Sequence, residues 1–123
     1  MTAKIIDGKK IAQETISDIK EAISKTRKKG TKPPGLAVIQ IGENPVSKIY
    51  VRNKRIACSQ VGMQSFNYDL PANTSEKELI ELVISLNKNP EVHGILVQLP
   101  LPDHINETTV SYTHLTLPTI LLV

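Results

Sequence analysis

Tyr50 and Lys54 lie four residues apart in the stretch SKIYVRNKRIACSQVG (47–62). If that stretch is helical, the ring and the ammonium group share one face, a turn apart. A tyrosine ring can stack on a flat heteroaromatic ligand. A lysine beside an apolar ring, with Lys48, Arg52 and Arg55 around it and no acidic residue in the stretch, is expected to lose its proton more easily than usual. It could then act as acid or base near neutral pH. Gln98 is the second unusual residue, because it interrupts the apolar run GILVQLP. A buried side-chain amide needs partners, and near a strand's C-terminal end these could be a ligand or Lys54. Pro100 and Pro102 would fix the shape of the loop beside it.

These residues depend on the elements that hold them. Residues 7–30 carry Ile11, Ile16, Ile19 and Ile23 at helical spacing, with Gly30 where a C-terminal cap belongs. PPGLAVIQIG (33–42) reads as a buried strand, and Ser47 as the N-cap of a helix running to about Gly62. MQSFNYDL (63–70) alternates as a second strand. Ser75 and Glu78 form a capping box ahead of Leu79, Leu82, Val83 and Leu86, and VHGILVQLPLP (92–102) is a third strand. Helix and strand alternate, which predicts a three-layer α/β/α domain with a mostly parallel sheet. Ligands of such sheets sit at the strands' C-terminal ends, here IGENPVS and QLPLP.

The chain has 123 residues and a net charge of +3, enough for one domain. The charge is unevenly divided: residues 1–60 hold 13 Lys/Arg against 5 Asp/Glu, and residues 61–123 hold 2 against 7. A basic half fits either a solvated helix or an anion-binding surface, RNA included. With aromatic content at 3%, there is little to stack on bases, so nucleic acid is not the expected partner. No run is long enough to span a bilayer, and the start lacks the apolar core of a secretory signal, which points to a cytoplasmic protein. Cys58, the single cysteine, reads as a core residue, His93 as structural and His104 as solvated. No metal-ligand spacing, Walker loop or dinucleotide fingerprint is present.

YVRNKRIACSQVGM together with VHGILVQLPLPDHINE resembles the bifunctional methylenetetrahydrofolate dehydrogenase/methenyltetrahydrofolate cyclohydrolase family. AKIIDGKKIAQE, PGLAVIQIGENPVSKIYV and YDLPANTSEKEL follow the same template over about residues 3–110. The resemblance implies NADP-dependent oxidation of 5,10-methylenetetrahydrofolate, then hydrolysis of the methenyl product to 10-formyltetrahydrofolate, in a protein that is usually a homodimer. It implies Lys54 as the proton-transfer residue and Tyr50 as the folate-stacking ring. Gln98 would tune the lysine, Ser47 would orient it, and Leu99 and Pro100 would line the pterin pocket. The family pattern continues into a DVDG motif and a nucleotide-binding domain, where this chain has SYTHLTLPTILLV (111–123). The expectation is a folate-site domain over 1–110, followed by a tail of foreign sequence from a truncated gene model. Such a chain would carry no NADP site and would be inactive alone.

Overall fold

A computed structural model of the chain describes residues 2–114 and 119–122. Helices α1 (Gly8–Lys28), α2 (Pro45–Val61) and α3 (Glu76–Asn87) alternate with strands β1 (Gly35–Ile41), β2 (Gln64–Leu70) and β3 (Gly94–Val97). A π-helical turn (Thr109–His114) and strand β4 (Thr119–Leu122) follow. All strand pairs are parallel, in the order β2-β1-β3-β4. The expected α/β/α layering is therefore present, and the apolar segment after residue 118 adds a fourth strand to it. The change of sequence character read at residue 111 falls partly outside the described residues.

The strand order fixes where a ligand can sit. From β1 the chain crosses through α2 to β2 on one side. From β2 it crosses back through α3, past β1, to β3 on the other side. Right-handed crossovers in opposite directions put their helices on opposite faces. Val38 and Leu96 accordingly pack with Val51 of α2, whereas Ala37, Ile39, Ile95 and Val97 pack with Leu79, Val83 and Leu86 of α3. The direction of winding reverses between β1 and β3, so a crevice opens at their C-terminal ends.

Local chemistry explains the element ends. Ser75 and Glu78 make the reciprocal capping box that the sequence predicts. Helix α2 starts earlier than expected, because its cap is Asn44 and not Ser47. The Asn44 side chain accepts from the N–H groups of Val46 and Ser47 at 3.0 and 3.1 Å, and Pro45 takes the first helical position, where no N–H is needed. Replacing Asn44 with alanine should cost about 1 kcal/mol, read as a lower urea midpoint with an unchanged slope. An unmoved midpoint would show the cap to be ornamental. At Gly35, a Cβ would run into the Glu91 carbonyl oxygen, so only glycine permits that close approach.

Two expectations are corrected. The apolar stripe of α1 is mostly uncovered: Ile11 and Ile19 are 51% and 41% exposed, and only Ile23 is buried. The cause is that α1 packs on α2 rather than on the sheet, so only its C-terminal half finds apolar cover. The ring of His104 is also not merely solvated, since its Nε2 lies 2.7 Å from the Thr74 carbonyl oxygen. His93 is structural as read: its Nδ1 accepts from the Gly35 N–H at 3.0 Å. Cys58 is buried, as expected of a core residue.

Candidate active site

The crevice at the switch point holds the sequence-selected residues. The β3 ladder ends at Val97, so Gln98 stands just past the strand and does not interrupt it. Its backbone N–H still donates to the Ile39 carbonyl at 2.9 Å, which anchors the residue to β1. The side chain is 3% exposed and turned toward α2. There Lys54 Nζ donates to Gln98 Oε1 at 2.9 Å, and Gln98 Nε2 donates to the Leu99 carbonyl at 3.1 Å. With the amide oxygen as the acceptor, the ammonium is held in place without a carboxylate that would pin its proton.

Ser47 is buried on the same helix face, and its Oγ donates to the Leu99 carbonyl at 3.2 Å. Asn44 has taken over the capping task, which leaves this hydroxyl available to tie α2 to the loop after β3. Tyr50 is half exposed, and its ring centroid lies 5.7 Å from Lys54 Nζ, within cation–π range. The Leu99–Pro100 peptide is cis. Asn44, Val46, Ser47, Tyr50, Gln98, Leu99 and Pro100 line a cavity of about 350 Å³. All six sequence-selected residues thus meet in one place, five of them on the wall and Lys54 within hydrogen-bond reach of it through Gln98. Asn44 was missed, although the Asn-Pro pair ahead of an apolar-periodic run signals a helix start.

Lys54 has a pKa below the ordinary lysine value of 10.5, because burial penalises the charged form. The expected cause was the crowd of cations, and that reading needs correcting. Lys48, Arg52 and Arg55 surround a different cleft, beyond α2. Lys48 and Arg55 are also paired, with Glu43 and Asp69 respectively. The positive charge of the stretch is therefore partly compensated, and its carboxylates come from outside it. Among the described residues no group of three His, Cys, Asp or Glu side chains is placed to hold a metal, and no helix is long and apolar enough to cross a membrane.

Comparison with known proteins adds what geometry alone does not. Residues 6–113 match the family described as tetrahydrofolate dehydrogenase/cyclohydrolase, catalytic domain. The chain is 54% identical over 110 residues to the bifunctional protein FolD of Moorella thermoacetica, covering 89% of this chain and 39% of that protein. The crystal structure of the bifunctional FolD enzyme of Campylobacter jejuni superposes with a TM-score of 0.87 at 39% identity, covering 92% of this chain and 40% of that one. The Trypanosoma brucei enzyme, solved with NADP and an inhibitor, gives 0.82 at 37% identity over 91% of this chain and 38% of its own. This chain spans about two fifths of the length of the curated relatives it matches.

Proposed function

Since the chain belongs to the tetrahydrofolate dehydrogenase/cyclohydrolase family through its catalytic domain, we propose that it forms the folate half of an enzyme of one-carbon metabolism, with residues 1–110 as its folate-binding domain. The full activity would be NADP-dependent oxidation of 5,10-methylenetetrahydrofolate and hydrolysis of the resulting methenyl compound to 10-formyltetrahydrofolate. The observation that carries this reading is the hydrogen bond from Lys54 to Gln98 beside the Tyr50 ring, in a cavity at the sheet's switch point.

The methenyl carbon is an electrophilic, amidinium-like centre. Water attacking it must lose a proton, and the ring nitrogen that departs must gain one. Neutral Lys54 takes the first proton and the resulting ammonium delivers the second, so one amine serves both steps. Burial of Lys54 makes its neutral form more accessible. Gln98 holds Nζ in place in both protonation states, since its amide oxygen accepts from either. Tyr50 offers its exposed face to the pterin or the aminobenzoyl ring. Oxidation needs a hydride acceptor. The cavity is lined by α2, its cap and the loop after β3, with no glycine-rich phosphate turn among them, so its lining does not fit NADP. That cofactor, and pairing into a homodimer, belong in this reading to the further length of the relatives.

The test uses residues 1–110 grafted onto the remainder of the Moorella protein, in a steady-state cyclohydrolase assay. Tyr50→Ala should raise KM for methenyltetrahydrofolate about tenfold, the worth of an aromatic stack, while Tyr50→Phe should leave it near the parent value. An unchanged KM in the alanine variant would remove the stacking role. A graft that folds but hydrolyses nothing would remove the reading as a whole.

A further inference from the structure

A second cleft, of about 590 Å³, opens on the other side of α2, over the C-terminal ends of β1 and β2. Its lining shares no residue with that of the Tyr50 cavity. Its floor is Gln40 of β1, whose register partner on β2, Asp69, stands exposed at the side. Gln40 is 6% exposed, and its Nε2 has no hydrogen-bond acceptor among the described residues; the buried Arg55 Nε in the same lining has none there either. Arg55 gives one N–H from each terminal nitrogen to Asp69, at 3.3 and 2.5 Å, and its buried Nε–H takes no part in that pair. Lys48 and Arg52 stand at the rim, Lys48 paired with Glu43 and Arg52 in no ion pair among the described residues. A protein interior seldom strands buried donors, and these occur together beneath an excess of cations.

We propose that this cleft binds an oxyanion, a phosphate or carboxylate group, whose oxygens accept from Gln40 Nε2 and Arg55 Nε while Arg52 balances its charge. The proposal goes beyond the folate reading and does not depend on it. A neutral acceptor would satisfy the amide but would leave Arg52 uncompensated. A planar or tetrahedral oxyanion satisfies the donors and the charge together. The Glu43 and Asp69 carboxylates reduce the local excess to about one positive charge, which suits one anionic group and disfavours a polyanion such as nucleic acid.

The experiment is an NMR titration of the 15N-labelled chain, following the Gln40 side-chain amide and the Arg55 Nε–H. Inorganic phosphate and glutarate form separate arms, with sodium chloride at matched ionic strength as the reference. The expected result is a saturable downfield shift of both signals in at least one arm, and which arm responds identifies the class of anion. Gln40→Leu keeps the residue's volume and should weaken binding about tenfold through loss of one charge-assisted donor. Arg52→Gln lies at the surface, where folding is not at risk, and should weaken binding and flatten its salt dependence. Tyr50→Ala should bind like the parent. Shifts reproduced by chloride, shifts absent in both arms, or affinities unmoved by the Gln40 and Arg52 variants would each overturn the proposal. So would binding lost with Tyr50.

Discussion

In the graft on the Moorella remainder, replacing Lys54 with methionine should, on the proposed reading, lower methenyltetrahydrofolate hydrolysis by about 10²- to 10⁴-fold, the range expected when one general acid–base group is removed. Methionine keeps the length and apolar stem of the lysine, so the cavity beside Tyr50 and Gln98 persists while its proton carrier is gone. Lys54→Arg should not rescue the rate, because a guanidinium does not give up its proton in this pH range. The parent's rate should rise with pH along a limb centred below 10.5, since burial lowers the Lys54 pKa, and Lys54→Met should lose that limb. Linkage gives a second reading of the same variant. The unfolded chain holds this proton more tightly than the folded one, so the penalty is complete below the lowered pKa and fades as pH climbs toward 10.5. Lys54→Met should thus lose this part of the parent's rise in stability with pH, whatever the lost hydrogen bond to Gln98 costs it at every pH. A variant that hydrolyses at the parent rate would end the catalytic assignment. One that is inactive and also unfolded would shift the role from chemistry to structure.

The largest stability effect is expected at Ile39. This residue has no exposed surface, and it sits at mid-sheet with Tyr68 and Val97 as its register partners on either side. Ile39→Ala deletes buried methyl and methylene groups and leaves a cavity that a sheet pinned on both edges cannot close. The cost should be about 4 kcal/mol. For a domain of this size that corresponds to a fall of roughly 15 °C in the melting midpoint. Ile11→Ala is the matched control: Ile11 is half exposed, and its truncation should stay within about 0.5 kcal/mol. Similar melting shifts for the two variants would mean that the core is not centred on β1.

Different parts of the molecule were legible in the sequence to different degrees, for physical reasons. The capping box at Ser75 and the buried run of β1 depend on residues within a few positions of each other, so the local pattern contains them. The start of α2 was also local, but two signals competed: a serine at 47 and an Asn-Pro pair at 44. The missing N–H of Pro45 decided for the latter. Which way α1 turns its isoleucines depends on what it packs against, and periodicity cannot report that. The Lys54–Gln98 bond joins residues 44 positions apart. Their types suggested a site, but their meeting follows from the reversal of winding between β1 and β3. The cause of the Lys54 shift was misread because charges are visible in a sequence and burial is not. The open donors of Gln40 and Arg55 were invisible for the same reason.

The backbone bond from Gln98 N–H to the Ile39 carbonyl also sets a lifetime. An amide tied to the centre of a buried sheet exchanges with solvent only when the sheet opens, and such openings require close to the free energy of global unfolding. The backbone that carries the Gln98 side chain therefore moves only on the timescale of sheet opening, whereas the half-exposed Tyr50 ring can reorient within nanoseconds. One wall of the cavity acts as a fixed post and the other as a turnstile. A ligand could pass the ring many times while the backbone that carries Gln98 stays in place.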